Sequence, residues 1–446
     1  MRPEPLQEIL EEAVAVAGAP GAAAAVLDDG EIISAAAGFA DAIARVPVTT
    51  KTAFQVGSIT KAFTATLAMQ LVDQGALTLE TALPDLVPEL RTACPAWSAR
   101  VRLRDILRHA AGIDGDLIVD TGEDDDYLEK FVSRCEGIGF IHRPGAFFSY
   151  CNVGYILLGR AIEILRGGSF DTVLQARVIE PFGLRTMQTR LDRYGAEGLA
   201  KGHSRAEAGW KIVDLWPRSN TPSGSRLAAS PSDLVAFARF HLEAADRGSP
   251  LLSRAAARAM RRRAVATPFS LRNRAWGLGW MRFDWGGKEI FGHDGGVAGT
   301  SSFLRIAPKA KFALALCVNG PDYAVLYEHV MRRVLGNRLR IEAPPARPKP
   351  LHSLPADVTK FVGRYERLGL FVEVTQVADG LMVRNGGDFG DPTAPTTPLT
   401  PIGPTMFITR LPGASSDIPL ALFEPDEEGR PNYAHFFDRA YRRVGS

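Results

Sequence analysis

Ser58 stands three residues before Lys61 in "FQVGSITKAFTATLAMQLVDQGALTL" (54–79), at the head of a run whose apolar residues recur at helical spacing. A serine hydroxyl is a weak nucleophile at its own pKa and attacks a carbonyl only when a neighbouring base takes its proton. Positions i and i+3 of a helix share a face, so Lys61 would sit beside the Ser58 hydroxyl. The helix N-terminus would add partial positive charge and free N–H groups, which favour an alkoxide and a nearby oxyanion. Lys61 can be the base if burial and a cationic neighbour lower its pKa. The pair by itself decides little, because serine is also a preferred helix N-cap and Ser-x-x-Lys arises about once by chance in a chain of 446 residues.

Two later segments add to it. In "RPGAFFSYCNVGYILLGRAIEIL", Tyr150 and Asn152 lie two apart, after a Pro-Gly turn and before an apolar run that reads as a buried helix. Tyr150, with a pKa lowered by Lys61, is a second candidate for moving the proton. Asn152 offers a donor and an acceptor, to Lys61 or to a substrate amide. In "FGHDGGVAGTSSF", His293, Gly295 and Gly296 fall where a strand begins, and glycines there mark close approach of a ligand to the backbone. S-x-x-K, Y-x-N and H-x-G each occur once, in that order.

The elements that must position these residues are legible in outline. Leu6, Ile9, Leu10 and Val14 predict an opening amphipathic helix, and "GAAAAVLDDGEIISAAAGFA" predicts a hairpin around Asp29-Gly30. Residues 58–262 read mostly as helices and loops, with Phe63, Leu67 and Leu71 as the buried stripe of the first and Gly75 as its end. Strand character returns in "WGLGWMRF", "KEIFGHDG", "TSSFLRIAP" and "KFALALCVN", followed by a helix over 325–335. Strands at both ends of a helical middle predict one α/β sheet built from the two ends of this region, flanked by their helices, with a helical subdomain inserted. "EAPPARPKPLHSLP" holds five prolines and reads as a stiff linker, and the alternating runs after it read as a small all-β barrel or sandwich. The expected domains are residues 1–342 and 355–446, joined by 343–354.

Composition excludes several function classes. With 46% hydrophobic and 23% charged residues and a net charge of +2, the chain is a folded one with no bias toward nucleic acid. No apolar run reaches membrane-spanning length, and the four glutamates within the first eighteen residues do not suit an export signal, so a cytoplasmic, membrane-free protein is expected. The four cysteines have no metal-ligand spacing, and His109 and His203, with no partner at such spacing, read as structural. Neither a metal nor a cofactor is expected. "TGEDDDYLEK" reads as a solvated loop and helix start, and "ARAMRRRA" as a basic helix face without the aromatic interleaving of a nucleic-acid site.

Taken together, Ser58-x-x-Lys61, Tyr150-x-Asn152 and His293-x-Gly295 resemble the serine β-lactamase and penicillin-binding-protein-like family. Within it, they resemble the group of class C β-lactamases, D-alanyl-D-alanine carboxypeptidases, D-aminopeptidases and esterases. "LRDILRHAAGI", "PFGLRTM", "RLAASPSDLVAFA" and "WGLGW" are similar to that family as well. The resemblance implies a β-lactamase/transpeptidase-like α/β domain with its site where sheet and helical subdomain meet. It implies Ser58 as the acylated nucleophile, Lys61 and Tyr150 as the proton-transfer pair, and an oxyanion hole from the N–H groups of Ser58 and Gly296. His293-Asp294-Gly295 departs from the Lys-Thr-Gly of many β-lactamases and removes a fixed cation for a substrate carboxylate. It resembles the esterase, D-aminopeptidase and peptide-cyclising branches instead. The C-terminal strands resemble the lipocalin-like domain of some D-aminopeptidases and of stand-alone penicillin-binding-protein-type thioesterases. The resulting expectation is a serine acyl-enzyme passing a peptidyl or acyl group from a thioester, ester or amide to an amine or water, and specifically a macrocyclising thioesterase acting on nonribosomal peptides with a D-configured terminal residue. Alternatives are a D-stereospecific aminopeptidase, amidase or carboxylesterase, and a non-catalytic penicillin-binding sensor. The expected partner is a small molecule or peptide, including a peptidyl thioester on a carrier protein. Asp294, Gly295 and one of Arg439, Arg442 and Arg443 are expected to touch substrate, the arginine through a carboxylate.

Overall fold

A computed structural model of the chain describes all residues except 1–4, 96–99, 196, 208, 272–274, 342–349, 352–356, 388–393, 415 and 446. Most of the proline-rich linker therefore lies outside the described residues. Nine antiparallel strands form the main sheet: β1 (Gly21–Asp28), β2 (Glu31–Asp41), β3 (Val46–Pro47), β4 (Val265–Ala266), β5 (Ala275–Trp276), β6 (Met281–Trp285), β7 (Lys288–Val297), β8 (Thr300–Ala307) and β9 (Phe312–Val318). Their order is β3-β2-β1-β9-β8-β7-β6-β5-β4, so β1 pairs with β9 and the sheet is sewn together from its two chain ends, as expected. Asp29 and Gly30 both have positive φ, the requirement of a two-residue hairpin turn.

The strand β1 is "GAAAAVLD", buried on both faces, and its alternate residues serve two cores. Ala22, Ala24 and Val26 pack in one core with helices α1 (Leu6–Ala17) and α5 (Tyr323–Leu339), while Ala23, Ala25 and Leu27 belong to the other core, where α4 (Pro231–Arg247) packs on β1 and α2 (Thr60–Asp73) and α3 (Asn152–Arg166) lie beyond. Small alanines let both helical layers approach the sheet closely. The predicted stripe on α2 is replaced by burial all round, since residues 60–71 are all buried. A helix buried on every side is central to its domain, and Gly75 follows its end with φ +72°.

The C-terminal region is a closed eight-stranded antiparallel barrel. Its strands are β10 (Gly363–Arg367), β11 (Leu370–Val377), β12 (Gly380–Gly387), β13 (Thr397–Pro401), β14 (Met406–Thr409), β15 (Ile418–Pro425), β16 (Pro431–Phe436) and β17 (Arg439–Val444). Closure comes from β17 returning to β10, which leaves no open edge. Phe361, Tyr365, Val372, Phe407, Leu420 and Phe436 fill its interior. The barrel docks on the α/β domain through aromatic rings: Phe147 meets Phe423 and Tyr433 at 5.0 and 5.2 Å, and Phe269 meets Phe423 at 4.5 Å. No helix among the described residues is long and apolar enough to cross a membrane.

Candidate active site

Ser58 lies inside a short 3-10 turn, Gly57–Ile59, that runs straight into α2. It is not an N-cap: neither the turn nor α2 has a side-chain cap. Its hydroxyl instead faces Lys61, whose Nζ is 3.1 Å from Ser58 Oγ. Lys61 is wholly buried and donates to the Ser223 carbonyl at 2.5 Å. Burial, then the charge of Arg439, holds the Lys61 amine well below its ordinary pKa. A neutral amine keeps a lone pair for the Ser58 proton.

Strand β7 passes the Ser58 turn so closely that two glycines are obligatory. A Cβ on Gly57, which has φ +54°, would lie 2.6 Å from the Gly296 nitrogen, and one on Gly295 would lie 1.9 Å from the Val56 carbonyl oxygen. These contacts bring the Ser58 and Gly296 backbones to one cleft of about 250 Å³, also lined by Tyr150, Trp276, His293 and Arg439. The three sequence motifs therefore meet in space.

Tyr150 departs from its expected electronic state. Its pKa is raised, because burial outweighs the Ser58 hydroxyl that it faces and the charge of Arg439. Its hydroxyl oxygen is buried with no hydrogen bond of normal geometry among the described residues. Tyr150 is thus a neutral phenol that can donate a proton, and Lys61, with its pKa lowered, is the group that can accept one. The Lys61 nitrogen lies 4.7 Å from the Tyr150 ring centroid, and the Arg439 guanidinium lies 5.0 Å from it. His109 stacks on the ring at 4.2 Å. Its Nδ1 accepts from the Cys151 N–H at 3.1 Å, so His109 supports the loop that carries Tyr150. His203 is structural as read: its Nε2 accepts from the Ala42 N–H and its Nδ1 lies against the Asn319 carbonyl.

Asn152 does not turn to Lys61. Its side-chain amide donates to Asp116 at 2.6 Å, from the first residue of α3. Asp116 also pairs with Arg439, and Arg367 approaches at 3.4 Å. Arg367 lies 3.5 Å from Asp114 as well. Burial alone would raise the Asp116 pKa, yet Arg439 and Arg367 hold it below the usual carboxylate range. Two barrel arginines thus neutralise two aspartates of the α/β domain beside the cleft. The barrel also holds the Tyr150 loop by its backbone, since the Tyr150 N–H donates to the Asp438 carbonyl at 2.8 Å and the Ala440 N–H to Ser149 Oγ at 3.1 Å.

His293 lines the cleft edge-on to Trp276. Burial, then Lys61, pushes its pKa down to about 3, so the ring is neutral and supplies no cation. Its Nδ1 lies 2.6 Å from the Asp294 carbonyl, which leaves the buried Nε2 as an acceptor. Asp294 also lines the cleft, but its carboxylate pairs with the buried Arg305 at 2.5 Å. Arg442 is exposed, and Arg443 bonds to the Tyr365 hydroxyl and the Val362 carbonyl on the barrel. Only Arg439 of the three reaches the cleft, and its Nε, Nη1 and Nη2 already donate to Asp116 and the Phe437 carbonyl.

The acidic stretch "TGEDDDYLEK" also has a partner. The Glu123 carbonyl and the Asp125 carboxylate bind the buried Arg218, together with Asp171. Arg218 opens the 3-10 turn Arg218–Ser223, whose last carbonyl receives Lys61. No group of side chains that could hold a metal ion occurs among the described residues.

A serine hydroxyl, a buried amine whose pKa is held low, a phenol and two strand-and-turn backbones lining one cleft are the parts that an acyl transfer site needs. Comparisons with known proteins agree with this assembly. Penicillin-binding protein 4 of Amycolatopsis lactamdurans is 37% identical over 364 residues, covering 78% of this chain and 94% of that protein. The crystal structure of SurE, solved alone and with D-Leu, matches at a TM-score of 0.79 and 30% identity over 98% of both chains. A D-stereospecific amidohydrolase from Streptomyces sp. matches at 0.60 and 25% identity, over 73% of this chain and 96% of that one. The beta-lactamase family model covers residues 6–335, from α1 through the whole sheet into α5. By that match and by the meeting of its three motifs at Ser58, the chain belongs to the beta-lactamase family.

Proposed function

We propose that this chain is a serine acyl-enzyme that transfers a peptidyl group from a thioester, ester or amide to an amine, with macrocyclisation of a peptide bearing a D-configured terminal residue as its reaction. The observation that carries the chemistry is the buried Lys61 amine 3.1 Å from Ser58 Oγ. Lys61 takes the Ser58 proton as Ser58 Oγ bonds to the donor carbonyl, and the backbone N–H groups of Ser58 and Gly296 receive the oxyanion. Tyr150 and Lys61 then return a proton to the leaving group. The acyl ester on Ser58 is resolved by an amine or by water.

Two observations support a D-configured peptide over a β-lactam. A neutral His293 stands where a fixed cation would hold a β-lactam carboxylate. SurE, which is similar over 98% of both chains, barrel included, was solved with D-Leu. A second reading, a D-stereospecific amidase or aminopeptidase, draws on the likeness to the Streptomyces amidohydrolase. Peptidyl thioesters ending in D- or L-residues, aminoacyl amides and simple esters separate these readings. Cyclic or aminolysed products from D-terminal thioesters, with a covalent adduct on Ser58 by mass spectrometry, support the transferase. Linear acids alone support the hydrolase. If no donor acylates Ser58, and Ser58→Ala behaves as the parent, the chain is a binding protein instead.

A further inference from the structure

A second cavity, of about 620 Å³, lies between the β7–β8 turn and the barrel residues Gly413, Ala414 and Ile418. It shares Ser301, Tyr323, Asp438 and Arg439 with the Ser58 cleft, so the two spaces meet at those residues. The charges around them are nearly all balanced. Asp294 is paired with Arg305, Arg439 with Asp116, and Asp417 with Arg410. The exception is Asp438, whose carboxylate has no ion pair or hydrogen bond among the described residues. The turn geometry holds it there. Phe437 and Asp438 form the two-residue turn between β16 and β17, with φ of +51° and +63°. Neither is glycine, so the turn stores backbone strain on the order of 1–3 kcal/mol per residue. Two cavities joined at one uncompensated carboxylate form a site that attracts a cation.

We infer that the larger cavity admits the acyl acceptor and that Asp438, at its junction with the cleft, binds the acceptor's α-ammonium group. This rests on the acyl-enzyme reading and names its second substrate as a peptide amine rather than water or a neutral alcohol. The steps balance. After acylation Lys61 is again neutral, having protonated the departing thiolate. The ammonium held at Asp438 gives one proton to Lys61, and the resulting amine nitrogen bonds to the acyl carbon. The bond from that carbon to Ser58 Oγ breaks, the second nitrogen proton passes to the oxygen, and Lys61 releases its proton to solvent.

The test uses the full chain and an N-acetylated dipeptidyl thioester ending in D-phenylalanine, a donor with no amine of its own. Tripeptide amides with a free or acetylated N-terminus are the acceptor probes. The readout is the ratio of aminolysis to hydrolysis, which is independent of the acylation rate. Asn favours the same left-handed turn conformation as Asp, so Asp438→Asn should fold and should lower that ratio at least tenfold, with Asp438→Glu falling between. On the unaltered chain, the free-amine tripeptide should protect the acyl-enzyme from hydrolysis at least tenfold better than its acetylated form. An unchanged ratio in Asp438→Asn, or equal protection by the two tripeptides, overturns the ammonium site while leaving the acyl-enzyme intact. Failure of the donor to acylate Ser58 in the unaltered chain would instead refute the reaction proposed above.

Discussion

Replacing Arg439 by glutamine should move the pH dependence of Ser58 acylation toward alkaline pH. Lys61 and Arg439 each lie within about 5 Å of the Tyr150 ring centroid, so their charges are at most about 10 Å apart. At an effective dielectric of about 20 that repulsion is about 1.7 kcal/mol, roughly a factor of ten to twenty in the ratio of amine to ammonium. The sign follows from the role. Arg439 disfavours the ammonium; without it more Lys61 is protonated at a given pH, and the rate falls at neutral pH but recovers as pH rises. Asp116 acts oppositely, since its charge favours the ammonium, so Asp116→Asn should move the profile toward acid. The double variant, which removes both charges, should lie between the singles. Single-turnover acylation by a chromogenic ester, from pH 5 to 10, reads all three. Breaking one partner of a buried pair also destabilises by about 3–5 kcal/mol, but such damage lowers the rate at every pH. A uniform loss, or an acid shift in Arg439→Gln, would refute Lys61 as the base tuned by the barrel.

Gly295→Ala should abolish acylation while the rest of the fold survives, because its methyl would lie 1.9 Å from the Val56 carbonyl oxygen and would push β7 off the Ser58 turn. Arg218→Met should lower acylation about tenfold without any contact with substrate, since it unties the turn whose carbonyl holds Lys61; rescue by Arg218→Lys would point to charge alone. The buried His241 and His293 have pKa values pushed down to about 3, and those of His142 and His435 are pushed down to about 4. The unfolded chain therefore binds more protons than the folded one between pH 6.5 and about 3, and stability rises with pH there. Melting temperature should fall steadily below pH 6.5, before most carboxylates titrate, and a flat curve from 6.5 to 4.5 would contradict the assigned burial.

Much of the sheet and the juxtaposition of Ser58 with Lys61 were readable in the sequence because they rest on local signals. The Asp29-Gly30 turn, the alternation of β7 to β9 and the spacing of Ser58 and Lys61 each reflect short-range geometry. What escaped depends on contacts between distant segments. Asp116 sits in "DGDLIVD", which has no motif, and its importance comes from Asn152 and from two arginines more than two hundred residues later. The same holds for Arg218, whose acidic partners read as an ordinary solvated loop until folding brought a buried guanidinium to them. Asn152 in sequence offers its amide to Lys61 or to a substrate amide, whereas the tertiary fold gives it the Asp116 carboxylate. A Tyr150 ionised beside Lys61 is the expectation, but burial raises the phenol pKa more than the Ser58 hydroxyl and Arg439 lower it.

The pairing of Asp114 and Asp116 with Arg367 and Arg439 sets the terms on which this architecture can be recombined. A catalytic domain that lost its barrel would keep two carboxylates shaped for guanidinium partners, beside a buried lysine whose charged form Asp116 favours. A grafted barrel would have to bring both arginines, and a turn that offers its carbonyl to Tyr150, in the same register. The barrel is therefore coupled to the cleft through named side chains rather than being an interchangeable appendage, and substrate range in this chain should change by mutation of its loops more readily than by exchange of the whole domain.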